Sequence, residues 1–207
     1  MSSTCHVYII LPCSFTFRVP ESIHTHSYIG SVLMVPSGMD DVFKAIHLSP
    51  QDVPFTLDLN NNTASLYTLL PLDREMRDSY HFHVMATTSG VERLLANVTL
   101  DVLDVNDNRP CFSRSMYNIT VNANSPALTT LLAVRATDFD TGSQLVYSIV
   151  TKSGAQPFAI DPMTGFFSLM HTLDRQSYAV EIQVSDGLFE DQAWIYITTV
   201  FSEEVVG

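Results

Sequence analysis

One set of motifs occurs twice in this chain, in the same order and at a nearly constant offset. Phe55-Thr56-Leu57-Asp58 returns as Phe158-Ala159-Ile160-Asp161, and Leu72-Asp73-Arg74-Glu75 returns as Leu173-Asp174-Arg175-Gln176. The alternation Tyr80-x-Phe82-x-Val84 returns as Tyr178-x-Val180-x-Ile182. A repeat of this kind confines the 207 residues to two copies of one unit of about 100 residues, with a border near 104–110. Within the repeat, Phe55, Leu57, Phe158 and Ile160 read as core residues. Tyr80 and Tyr178 share the apolar phase of their strands and read as packing anchors.

The unit itself is all-β. No long segment has helical period, whereas strict alternation marks Phe15–Val19, Tyr80–Ala86 and Asn97–Val105 in the first copy. In the second copy it marks Tyr117–Val121, Leu131–Ala136, Leu145–Ile149, Phe166–Leu169, Tyr178–Val184 and Ala193–Thr199. Strands so short and closely spaced predict a sandwich. Segment 37–50 holds either one helical turn or a short strand. With 46% hydrophobic residues the chain can build real cores. Its 22 acidic against 10 basic side chains, a formal net charge of -12, argue against nucleic acid or an anionic membrane surface as partner.

No run approaches the roughly 18 apolar residues of a membrane span, so no direct membrane contact is expected of this piece. Met1 lacks a following basic region, and the apolar Val7–Leu11 passes straight into the alternation of Phe15, Phe17 and Val19. Met1 therefore reads as the start of an excised fragment or as an added residue. Three cysteines are an odd number. Either Cys5, Cys13 and Cys111 are all buried small hydrophobes, or Cys5 and Cys13 close a small loop. Three glycosylation sequons begin at Asn61, Asn97 and Asn118, the last two on the polar phase of their strands. They favour an extracellular location.

The border reads Asp104-Val105-Asn106-Asp107-Asn108-Arg109-Pro110. A flexible linker would be rich in Gly and Ser; this one packs four oxygen-bearing side chains into five positions. Ca²⁺ takes six to eight oxygens from carboxylates, amides and carbonyls, at about 2.3–2.6 Å. Mg²⁺ demands stricter geometry, and Zn²⁺ would want Cys or His, which the linker lacks before Cys111. Further carboxylates flank turns: Glu21 after Pro20, Asp73 and Glu75 around Arg74, Asp138 and Asp140 ahead of Gly142, and Asp186 before Gly187.

These motifs together resemble two tandem extracellular cadherin repeats. The resemblance is carried by Pro20-Glu21, Leu72-Asp73-Arg74-Glu75, the Asp104–Pro110 linker and Asp138-x-Asp140-x-Gly142. Ala86-x-Thr88-x-Gly90, Ser185-Asp186-Gly187 and Ile160-Asp161-Pro162-x-Thr164-Gly165 add to it. It implies an all-β fold of two seven-strand Greek-key sandwiches, immunoglobulin-like and joined end to end. The repeats would be 1–103 and 111–207, with a calcium-binding linker at 104–110. It also implies about three Ca²⁺ between the repeats. Glu21, Asp73 and Glu75 would form the base of repeat 1; Asp104, Val105, Asn106, Asp107 and Asn108 would be linker ligands; Asp138, Asp140, Gln144 and Asp186 would form the top of repeat 2. Eight carboxylates crowded together repel unless cations neutralise them, so Ca²⁺ is expected to raise stability and turn a hinged pair into a rod.

Departures from the family pattern are as informative. Asn122-Ala123-Asn124 replaces the Pro-Glu pair in the second copy, Gln176 replaces the glutamate, and Phe201–Gly207 contains no second linker motif. Few or no Ca²⁺ are therefore expected at the lower end of repeat 2. Thr88 stands where Asp186 stands in the second copy, and no Asp-x-Asp precedes it, as expected of an outermost repeat. Gln144 occupies a position that is usually asparagine and can still coordinate through its carbonyl.

Enzymatic activity is not expected, because coordination accounts for the carboxylates and the histidines do not assemble with a nucleophile. His81 and His83 share the strand face opposite Tyr80, an exposed one. The resemblance implies the N-terminal pair of a non-classical, protocadherin-like cadherin on the extracellular face of the plasma membrane, within a larger single-pass protein. Its partner would be another cadherin ectodomain, homophilic or heterophilic. Tryptophan strand exchange at the tip is excluded, since the single tryptophan, Trp194, lies near the end of repeat 2. Val7, Tyr8, Ile9 and Ile10 are candidates for an exposed adhesive surface, or for a core strand. A structural spacer or tip-link-like element is the alternative to adhesion.

Overall fold

The computed structural model describes residues 12–34, 46–60, 63–88, 90–150 and 157–201. Two compact units divide between Val105 and Asn106. The described residues contain strands and no helix long and apolar enough to cross a membrane.

In the first unit the strands are β1 (Cys13–Pro20), β2 (Tyr28–Met34), β3 (Ile46–Ser49), β4 (Phe55–Asn60), β5 (Thr63–Thr68), β6 (Ser79–Thr88) and β7 (Val91–Leu103). They form one sheet in the order β1-β7-β6-β3 and a second in the order β2-β5-β4. Inward residues of both sheets share one core: Val32, Phe55, Leu66, Phe82, Val84, Val98 and Leu100 are all buried. Burying such side chains stabilises by about 1.5–3 kcal/mol each. β1 and β7 run parallel with Pro20 beside Leu103, and the Glu21 N–H donates to the Leu103 carbonyl at 3.0 Å. That register delivers Glu21 to the point where the chain leaves the unit.

The second unit contains β8 (Cys111–Phe112), β9 (Met116–Asn122), β10 (Thr130–Ala133), β11 (Ala136–Thr137), β12 (Val146–Ile149), β13 (Phe158–Ile160), β14 (Phe166–Leu169), β15 (Ser177–Ser185) and β16 (Glu190–Val200). Its sheets run β12-β15-β16-β9, β10-β14-β13 and β11-β8. Aromatic packing repeats between the units. Phe55 meets Tyr80 edge-on at 5.1 Å, and Phe158 meets Tyr178 edge-on at 5.2 Å, as the duplicated motifs require.

Two expectations need correction. The strand anticipated over Leu131–Ala136 is broken, because the Val134 N–H donates to Gly165 and the Arg135 carbonyl accepts from Ser113. The chain thereby leaves β14 as partner and takes up β8. The reading of all the cysteines as buried also fails, since Cys13 and Cys111 are exposed. Cys13 opens β1 at its rim and Cys111 lies in the two-residue β8, so neither reaches a core. Cys5 and Val7–Ile10 lie outside the described residues, so the Cys5–Cys13 loop does too. Residues 46–49 of the ambiguous 37–50 segment are strand, and 37–45 lie outside the description.

Candidate metal centre

At the foot of the first unit, Glu21 is 6% exposed, and each of its oxygens accepts one backbone N–H. Oε2 takes Arg74 and Oε1 takes Val105, both at 2.8 Å. A turn presents the next two carboxylates: the Asp73 carbonyl accepts the Arg77 N–H, and its Oδ1 accepts the Met76 N–H at 2.9 Å. The result brings carboxylate oxygens of Glu21, Asp73 and Glu75 within 4.8 Å of one another. Burial, and then the nearby Glu21 carboxylate, push the Glu75 carboxyl above its usual range despite Arg74. Arg74 donates from Nε to Asp104 and from Nη2 to Glu75. Burial opposes its charge, but these carboxylates hold it firmly protonated. This counter-ion role was not anticipated, although a basic residue between two carboxylates was its visible signal.

At the start of the second unit, another set is built from three loops. Asp138 Oδ1 accepts the Asp140 N–H at 3.0 Å, closing a local turn that Gly142, at φ +81°, allows to continue. Asp140 is buried and accepts from Asn108 twice, from the backbone N–H at 3.0 Å and from the side-chain amide at 2.8 Å. Asn108 also donates to Asp107 at 3.0 Å. Asp186 Oδ1 accepts the N–H groups of Leu188 and Phe189 at 2.7 and 2.6 Å, across a turn with Gly187 at φ +100°. Burial alone would raise the Asp186 carboxyl, but the Phe189 and Leu188 donors and the Asn106 amide outweigh it and hold it low. Asp138, Asp140 and Asp186 offer oxygens within 4.8 Å of one another.

The chemistry of this second set fits a hard cation. Asn106 Oδ1, Asp138 Oδ2 and Asp186 Oδ2 are buried and have no hydrogen-bond donor. Buried acceptors are almost always satisfied, and an orphaned one costs about 1–3 kcal/mol. An ion that takes several oxygens at once removes the deficit of all three. Gln144 is exposed, and its amide is turned to Met163 Sδ at 3.7 Å. Of the sequons, Asn118 is exposed and Asn97 half-buried, while Asn61 lies outside the described residues.

Two tandem β-sandwiches with paired acidic sets define a class of calcium-binding extracellular modules. A family model described as the cadherin domain matches residues 117–200. Human protocadherin-15 is 39% identical over 119 residues, covering 56% of this chain and 6% of that protein. The solved extracellular cadherin domains 1-4 of protocadherin gamma B7 align with a TM-score of 0.78 at 25% identity, covering 92% of this chain and 50% of theirs. Mouse cadherin-23 EC22-24 aligns with a TM-score of 0.77 at 28% identity, over 91% of this chain and 63% of that one. The chain belongs to the cadherin superfamily, among its protocadherin-like tandem extracellular repeats. Ectodomains of this family are non-catalytic adhesion modules. The chain spans only a small part of the curated relatives it matches.

Proposed function

We propose that this chain is a calcium-stiffened piece of an adhesive or recognition ectodomain, belonging to a larger membrane protein at the cell surface. The observation that carries the reading is the trio of buried, donorless oxygens on Asn106, Asp138 and Asp186. The covalent path Asp104–Asn108 runs from the first acidic set directly into the second. Calcium held by Glu21, Asp73, Glu75 and Asp104 and by Asn106, Asp138, Asp140 and Asp186 would neutralise like charges and restrain the 104–110 linker. Each unit is then a seven-strand Greek key: β8 with β9, and β10 with β11, are single strands broken by a change of partner. Its binding partner is another cadherin ectodomain.

Thermal melting and small-angle scattering in millimolar Ca²⁺, Mg²⁺ or chelator test the proposal. Binding at a hundredfold excess over Kd adds about 2.7 kcal/mol per site. The melting temperature should therefore rise clearly in Ca²⁺ and little in Mg²⁺, and the maximum dimension should sharpen. Indifference to chelation would refute the reading. Bead aggregation by the complete ectodomain separates homophilic adhesion from the heterophilic or purely mechanical alternatives.

A further inference from the structure

We propose that Asn118 carries an N-linked glycan whose inner sugars lie on a shelf formed by Trp194 and Tyr196. The inference rests on the extracellular placement above but not on calcium. In the sheet β12-β15-β16-β9, β9 is the edge strand and pairs in parallel with β16. Alternation points Tyr117, Ile195 and Ile197 into the core, and Met116, Asn118, Thr120, Trp194 and Tyr196 to the outer face. The register sets Met116 opposite Trp194, and Asn118 opposite Tyr196. Strands stand about 4.8 Å apart, so a sugar on Asn118 begins beside the Tyr196 ring.

Met116, Trp194 and Tyr196 form an apolar cluster among the polar side chains of that face. They are 52%, 38% and 40% exposed, and the two rings stack at 6.2 Å with an interplanar angle of 21°. On the next strand Ala179 stands opposite Tyr196 and Glu181 opposite Trp194. Pyranose rings present C–H groups on one face, which pack on the electron-rich face of an aromatic ring. The sequon supplies such a ring at the matching position, and Thr120, its hydroxyl residue, is exposed as well. A glycan there also masks the open edge of β9 against strand addition. Asn97 makes a useful contrast: it is half-buried in β7, with Ser14 and His83 on either side and no such shelf.

In the attachment step, the Asn118 amide nitrogen forms a bond to C1 of an oligosaccharide carried on a polyprenyl diphosphate. The C1–O bond to phosphate breaks, the polyprenyl diphosphate leaves, and the amide gives up one proton to the transferase base; no redox change occurs. Trp194 is the single tryptophan, so its fluorescence reports this face alone.

The full chain is secreted from eukaryotic cells, glycopeptides are mapped by mass spectrometry, and acrylamide quenching is compared before and after enzymatic trimming. Asn118 should be occupied. Complete removal of the glycan should raise the Trp194 quenching constant about twofold, while trimming to a single N-acetylglucosamine should preserve most of the protection. Asn118→Gln and Thr120→Ala should match the stripped protein, whereas Asn97→Gln should not. An empty Asn118, or an occupied one whose removal leaves quenching unchanged, overturns the inference. Either result leaves the calcium reading standing, because the chelation experiment tests that independently.

Discussion

The lower ends of the two units use the same backbone for opposite electrostatic purposes. The Glu21 N–H donates to Leu103 in the first unit, and the Ala123 N–H donates to Val200 in the second, so Glu21 and Ala123 occupy one structural position. In the first unit that position supplies a buried carboxylate facing Asp73 and Glu75. In the second it supplies a methyl group, and the glutamate position is Gln176. Asp174, the counterpart of Asp73, is occupied otherwise: its Oδ1 accepts the Tyr178 hydroxyl at 2.8 Å. Among the described residues, the same backbone therefore carries an acidic set in the first unit and no such set at the matching end of the second.

Glu21→Ala should give the largest effect. It removes one of the charges that set Ca²⁺ affinity and leaves the Arg74 and Val105 N–H groups without their acceptor. Titration calorimetry should show at least a tenfold loss of affinity, about 1.4 kcal/mol, together with a lower melting temperature in chelator. Ala123→Glu should leave the affinity of the first set unchanged. Equal responses to the two substitutions would break the comparison.

Much of this arrangement is legible in the sequence, for definable reasons. Carboxylates beside turns announce themselves by residue type, and strands such as β7 and β15 alternate cleanly because a whole face is core. β2 did not show itself, since irregularities between Tyr28 and Gly30 and between Ser31 and Leu33 break its alternation. β5 alternates perfectly in burial, but its inward residues are Ala64, Leu66 and Thr68, too small and polar a set to read as a strand. Thr68 is fully buried because its hydroxyl donates to the His24 carbonyl and accepts the Ser27 N–H. The replacement of the Pro-Glu pair by Asn122-Ala123-Asn124 is legible, and the register adds that Ala123 is the residue that takes the place of Glu21.

A smaller effect follows from the two anchoring tyrosines. The Tyr178 hydroxyl donates to Asp174 and accepts the N–H groups of Asp174 and Arg175 at 2.8 and 3.0 Å. Both rings lie under an arginine, with the Arg77 guanidinium carbon 4.4 Å from the Tyr80 centroid and that of Arg175 5.9 Å from the Tyr178 centroid. The hydroxyl bonds are therefore what set Tyr178 apart. Tyr178→Phe should destabilise the second unit by about 1–2 kcal/mol, read from Trp194 fluorescence during urea unfolding. Tyr80→Phe keeps its ring and should cost less. A reversed order would show that the hydroxyl network does not hold the lower loop.

The least effect separates the duplicated aspartates, Asp58 and Asp161. Asp58 lies within β4 opposite Ser65, whereas Asp161 closes a turn. Its Oδ1 accepts the Thr164 hydroxyl and N–H at 2.8 Å and the Met163 N–H at 3.0 Å. The turn ends at Gly165, where a side chain would meet the Val134 carbonyl at 2.5 Å. The Thr164 hydroxyl, then the Thr164 and Met163 N–H groups, hold the Asp161 carboxyl below its ordinary 3.8. A folded value below the unfolded one means stability that is present above pH 3.8 and is lost as pH falls through the folded value. Asp161→Asn should therefore flatten the acid limb of the second unit's stability, followed through Trp194 below about pH 4. Asp58→Asn is the matched control in the first unit. An acid limb unchanged by Asp161→Asn would mean that the turn, and not its charge, is what the second copy retains.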